Sequence, residues 1–125
     1  MIGLLDTSVF VAREAGRPLT ALPDEGRVSV ITVSELRLGV LMADDAAIRA
    51  QRMRTLSALE ELDALVIDDA AARAFAEIVA DGRRRGRLPR VLDALIGATA
   101  ASNDIPVYTR DSDFEDMAGV TVVRV

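Results

Sequence analysis

The chain has 125 residues, 50% of them hydrophobic and 28% charged, with a net charge of −5, which supports one domain over residues 1–125 with a real core and excludes a disordered chain or a bulk-basic nucleic-acid binder. It has no cysteine, histidine or lysine, all 15 basic residues being arginine. That excludes disulfides, zinc–thiolate sites, imidazole triads, P-loops and Schiff-base chemistry, and leaves carboxylate, hydroxyl, guanidinium and whatever metal they bind.

In chain order, Ile2–Leu5 predicts a buried strand that ends on the carboxylate of Asp6 and runs into a helix over Ser8–Glu14, closed by Gly16 and Pro18. A strand from residue 2 leaves no room for a leader. No apolar run reaches the roughly 18 residues of a membrane span, so a soluble, cytoplasmic protein is expected. Residues 17–26, with Pro18, Pro23 and Gly26, read as a loop. Val28, Val30 and Ile31 predict a second strand, after which Thr32-Val33-Ser34-Glu35 has the form of a capping box opening a helix to about Met42. Val33, Leu36, Leu38, Val40, Leu41 and Met42 cover nearly its whole circumference, so this helix is expected to be buried.

Asp44-Asp45 predicts the start of a helix through Leu62, and Leu65–Ile67 a third strand. Asp68-Asp69 starts a helix to about Arg85, Gly86–Pro89 is a break, and Arg90–Ala101 is helical with Leu92, Leu95, Ile96 and Thr99 on one face. Pro106–Tyr108 is a short strand ending at Thr109, Asp111–Met117 a helical turn or two, and Val120–Val123 a final strand. The alternation of strands and helices argues for a parallel α/β sheet.

Five acids stand out. Asp6 ends a strand. Glu35 lies in the first turn of a mostly apolar helix, Asp93 at the edge of an apolar helix face, and Asp111 and Asp113 after the fourth strand. Singly, each has an ordinary explanation. Glu35 completes a capping box, Asp93 and Asp113 are first-turn acids favoured by the helix dipole, and Asp111 caps a turn. Asp6 has little structural reason beyond capping the next helix. Together they are more informative. Side chains ending neighbouring strands converge at the carboxyl edge of the sheet, and clustered carboxylates repel unless a cation compensates. With no nitrogen or sulfur ligand available, an all-oxygen site suits Mg²⁺ or Mn²⁺.

The chain resembles a PIN-domain ribonuclease and, within that family, the VapC toxins of type II (VapBC) toxin–antitoxin pairs. The resemblance rests on Leu4-Leu5-Asp6-Thr7-Ser8, Ser34-Glu35-Leu36-Arg37-Leu38-Gly39, Asp93 through Ala100, and Thr109-Arg110-Asp111-Ser112-Asp113-Phe114, in the family's order and over nearly the whole chain. It implies an α/β, PIN-like fold with a five-stranded parallel sheet of order 3-2-1-4-5 flanked by helices. It implies Mg²⁺ or Mn²⁺ bound by Asp6 and Asp93, with Glu35 and Asp111 completing a catalytic and metal-binding cluster. Asp113 competes with Asp111 for the fourth place, and Asp111 is preferred because it directly follows the strand and its Thr-Arg. Thr7, Ser8, Thr109 and Asp113 would support the cluster. The implied reaction is metal-assisted hydrolysis of an RNA phosphodiester leaving a 5′-phosphate and a 3′-hydroxyl. The implied partners are a VapB antitoxin and a second copy in a homodimer, with further assembly when the antitoxin is bound.

Residues 83–90 read Arg-Arg-Arg-Gly-Arg-Leu-Pro-Arg. Arg83, Arg84, Arg85 and Arg87 are candidate RNA contacts; the alternative is a solvated helix end complementing the dipole. Two other functions compete with the ribonuclease. One is a catalytically weak PIN-like module that binds RNA or protein. The other is an aspartyl-phosphate phosphatase, which fits worse because Ser8 stands where that chemistry needs a second aspartate, and its usual lysine is missing.

Overall fold

A computed structural model describes residues 1–125. Five strands, β1 (Ile2–Leu5), β2 (Glu25–Ser29), β3 (Asp63–Leu65), β4 (Val107–Thr109) and β5 (Val122–Arg124), form one sheet in the order β3-β2-β1-β4-β5. Every neighbouring pair is parallel, with Leu4 opposite Val107 and Leu5 opposite Tyr108 where β1 meets β4. Parallel neighbours need crossovers, and these are supplied by α1 (Thr7–Glu14), α2 (Val30–Leu41), α3 (Ala46–Leu59), α4 (Asp69–Arg84) and α5 (Val91–Ser102), with only a 3-10 turn, Ser112–Phe114, between β4 and β5.

Successive strand residues face opposite sides of a sheet. Leu4 joins Ile78 of α4, Ala94 and Ile96 of α5, and Val107 in one buried cluster, whereas Leu5 packs with Phe10, Val28, Leu56 and Leu59 in another. The helices therefore cover both faces, α4 and α5 on one side and α1 and α3 on the other. Each fully buried leucine contributes about 2 kcal/mol. The central helix is α5, whose residues from Asp93 to Ala100 are nearly all buried. Its small residues permit that: a Cβ on Gly97 would lie 2.8 Å from Met117 Sδ and 3.3 Å from Val120 Cγ2.

The predicted sheet order holds, and several element boundaries move. Val30 and Ile31 belong to α2, not to a strand. Ser29 adopts an extended conformation and its hydroxyl accepts from Ile31 N at 3.0 Å, placing the cap three residues before Thr32. A side-chain cap has overridden the strand preference of two β-branched residues, and Glu35 is thereby no capping-box member. The helix before β3 stops at Leu59, where Leu62 N donates to Leu59 O in a turn. β3 comes earlier than predicted, at Asp63–Leu65, with Val66 61% exposed beyond it. The last strand begins at Val122, because Val120 turns back on Met117 beneath α5.

The expected burial of α2 is also corrected. Only Thr32 is buried in that helix, and Leu38, Leu41 and Met42 are 58%, 73% and 68% exposed. Apolar residues all round a helix signal burial only if there are neighbours on every side. This helix packs mainly on α3 and leaves its far side uncovered.

Candidate metal centre

The register of β1 against β4 brings the two strand ends together. Asp6 N donates to Tyr108 O at 3.0 Å, which sets Asp6 beside Thr109. Asp6 is 2% exposed and caps α1. Its Oδ2 accepts from Ser8 Oγ at 2.7 Å, Thr109 Oγ1 at 2.9 Å and Ser8 N at 3.3 Å. Oδ1 accepts no protein hydrogen bond, so one oxygen fixes the carboxylate and the other stays available. Ser8 Oγ also accepts from Arg110 N, and Thr109 Oγ1 from Asp111 N. The two hydroxyls thus lock the chain leaving β4 onto the chain leaving β1.

Glu35, on the second turn of α2, is half-buried. Thr7 Oγ1 donates to its Oε1 at 2.7 Å and lies 3.0 Å from Thr32 Oγ1. Asp93 sits in the first turn of α5, 8% exposed, and its buried Oδ2 has no hydrogen-bond partner. Arg90 Nε, 3.9 Å away, is a loose ion pair at best. Burial pushes the Asp93 carboxyl up to about 6; the Asp6, Asp113 and Glu35 charges add to the rise and Arg90 opposes it. Asp111 is exposed as a whole residue, yet its carboxyl is also raised, by partial burial first and then by Asp6 and Asp113, against Arg124 and Arg90.

Asp6, Glu35, Asp93 and Asp111 line one pocket of about 320 Å³ at the carboxyl edge of the sheet, together with Thr7, Ser8 and three arginines, Arg17, Arg90 and Arg110. Asp113 faces the adjoining cavity and acts on Asp93 and Asp111 only through its charge. The PIN-domain family model matches residues 3–120, and Ribonuclease VapC5 of Mycobacterium tuberculosis is 43% identical over 125 residues, 98% of this chain and 93% of that protein. The chain belongs to the PIN-domain family, among the VapC ribonucleases. Ribonuclease VapC8 of the same organism is 45% identical over 101 residues, 79% of this chain and 90% of that one. The crystal structure of VapBC-5 from M. tuberculosis, a member of the VapBC family of toxin–antitoxin systems, superposes with a TM-score of 0.89, covering 99% of this chain and 98% of that chain at 43% identity.

In this PIN domain the four acids surround the pocket without any three closing on a single point. That arrangement suits Mg²⁺, which is held by one or two carboxylates and keeps several of its waters. The buried, unpartnered Oδ2 of Asp93 and the unengaged Oδ1 of Asp6 are the oxygens such an ion would use. A buried anion without a donor is costly, and a cation removes that cost.

The arginine-rich segment divides. Arg83 and Arg84 end α4 and are exposed. Arg85 pairs with Asp81 at 2.9 Å and donates to Asp116 O, and Arg87 pairs with the Asp116 carboxylate. Neither Arg85 nor Arg87 lines the acidic pocket. The arginines that do, Arg17, Arg90 and Arg110, lie outside the expected contacts Arg83, Arg84, Arg85 and Arg87. Two carried a signal: Arg90 is one helical turn before Asp93, and Arg110 lies inside Thr109-Arg110-Asp111. Arg17, in the loop after α1, carried none.

Proposed function

We propose that the protein is the ribonuclease toxin of a toxin–antitoxin pair, that it hydrolyses RNA phosphodiester bonds with Mg²⁺ held by Asp6 and Asp93, with Mn²⁺ able to substitute, and that a VapB antitoxin neutralises it. The observation that carries the metal-dependent reading is the buried Asp93 Oδ2 left without a donor beside Asp6, in a pocket shared with Glu35 and Asp111. When bound, the cation supplies positive charge to the scissile phosphate and lowers the pKa of a water.

The chain's own residues do the rest. Ser8 and Thr109 hold the Asp6 carboxylate in one orientation, so little of its freedom remains to be lost on binding. Thr7 occupies one oxygen of Glu35 and leaves the other to accept a proton from the attacking water. Asp111 adds negative charge that favours the ion. Arg17, Arg90 and Arg110 balance that charge at the rim, where RNA phosphates approach. Arg83 and Arg84 are exposed and free to meet more distant phosphates.

Leu38 and Leu41 of α2, Met42 at its C-cap, Val11 of α1 and Ile48 and Met53 of α3 are exposed apolar side chains on three helices that pack against one another, two of which carry Thr7 and Glu35. Surfaces of this kind mark protein partners, which fits an antitoxin and a homodimer. Purified protein is expected to cleave RNA with Mg²⁺ or Mn²⁺, and Asp6→Asn and Asp93→Asn to abolish cleavage. Equal cleavage by these variants would point to a contaminating nuclease and remove the enzymatic reading in favour of a binding module.

A further inference from the structure

A second cavity, of about 330 Å³, adjoins the acidic pocket between the end of α4, the 85–90 loop and the 3-10 turn at Ser112–Phe114. The two are neighbours. Arg90 lines both, and Asp111 of the acidic pocket is followed directly by Ser112 and Asp113 of the second cavity. Its volume lies at the lower end of the roughly 300–1,000 Å³ of small-ligand sites.

The chemistry of the walls changes from one cavity to the next. Four carboxylates face three guanidiniums in the acidic pocket; Arg85, Arg87 and Arg90 face only Asp113 and Asp116 here. The Asp116 carboxylate is already engaged by Arg87, and its backbone carbonyl by Arg85. Arg85 is paired with Asp81 as well, so the guanidiniums that can turn to a phosphate are Arg90, held only loosely by Asp93 at 3.9 Å, and the exposed Arg87. The floor is apolar, made of Ile78, Pro89 and Met117, with Leu88 74% exposed at the mouth. Ser112 Oγ and the Asp113 carboxylate make no protein hydrogen bond. The loop is held in place: Arg87 N donates to Gly82 O at 2.7 Å, and a Cβ on Gly82 would lie 2.4 Å from Arg87 O. Only glycine allows that approach.

An apolar floor, unengaged hydroxyl and carboxylate groups, and the guanidinium of Arg90, shared with the acidic pocket, are what one unpaired nucleotide requires: a surface for its base, partners for the base edge and a charge for its phosphate. We propose that this cavity is a subsite for one unpaired RNA nucleotide adjacent to the scissile phosphate, and that it sets a base preference at that position. The proposal rests on the ribonuclease reading above.

Methyl-labelled methionine provides a readout that needs neither metal nor turnover. The chain has four methionines, of which Met117 lines the cavity while Met42 and Met53 are exposed on α2 and α3 or at their ends. Hexaribonucleotides titrated into metal-free full-length protein in EDTA should shift the Met117 methyl signal and leave Met42 and Met53 in place. Leu88→Ala, an exposed change that leaves the thermal midpoint intact, should raise the dissociation constant roughly fivefold or more. Arg87→Gln should lower the slope of log affinity against log salt by about 0.7. Arg73→Gln, paired with Asp69 at the far end of α4, should change neither. With Mg²⁺, cleavage sites of Leu88→Ala mapped on cellular RNA should lose the base preference of the parent at one position beside the cut. An unmoved Met117 signal, or the parent's affinity and base profile in both variants, overturns the subsite while cleavage abolished by Asp6→Asn keeps the ribonuclease reading. Cleavage undiminished by Asp6→Asn overturns both.

Discussion

Replacing Asp93 with asparagine should stabilise the metal-free protein near neutral pH. Asp93 is 8% exposed, its Oδ2 has no donor, and its carboxyl is pushed up to about 6 from 3.8, chiefly by burial. A raised carboxyl binds its proton more tightly in the folded state than in the unfolded chain. Its contribution to stability is therefore greatest below about pH 4, is lost as pH rises from about 4 to 6, and is fully lost above that. A rise of about 2 pH units corresponds to about 3 kcal/mol, and water in the open pocket screens this to about 1–2 kcal/mol. Asp93→Asn removes the charge and keeps the shape. At about pH 7.5 in EDTA it should melt roughly 3–8 °C above the parent, and the gap should close by about pH 4. If Asp6 and Asp93 hold Mg²⁺ as proposed, adding it should reverse the ranking, because only the parent keeps both carboxylates. Urea or thermal unfolding across that pH range measures all three effects. A variant no more stable than the parent at neutral pH, or a gap independent of pH, would refute the account of Asp93 as a buried, uncompensated charge.

Thr109→Val preserves shape but removes the hydrogen bonds to Asp6 Oδ2 and from Asp111 N; Mn²⁺ affinity by titration should fall about tenfold or more, and an unchanged affinity would deny the hydroxyl its orienting role. Gly97→Ala should destabilise the fold by about 1–3 kcal/mol, since the added methyl would meet Met117 Sδ at 2.8 Å; an unaltered urea midpoint would mean that the methionine moves aside without cost.

Much of the architecture follows from local pattern. Alternating apolar strands and capped helices indicate a parallel sheet, and strand-end carboxylates in a chain without histidine, cysteine or lysine indicate an all-oxygen metal site. Local pattern misassigned Val30 and Ile31, because two β-branched residues read as strand until the Ser29 hydroxyl caps the helix in front of them. It also misread α2 as buried, because an all-apolar helix reports what it could bury and not how many neighbours it has.

The five acids Asp6, Glu35, Asp93, Asp111 and Asp113, and the all-oxygen chemistry they permit, were determined by the sequence itself. What only the tertiary structure decided is which groups share a space. Opposing Leu5 to Tyr108 joins Ser8 and Thr109 on one oxygen of Asp6, and burying the first turn of α5 leaves Asp93 Oδ2 without a donor. Pairing Arg85 and Arg87 with Asp116 gives the acidic pocket to Arg17, Arg90 and Arg110 instead. These are contacts between residues up to about a hundred positions apart, and propensity and periodicity, being local, carry no information about them.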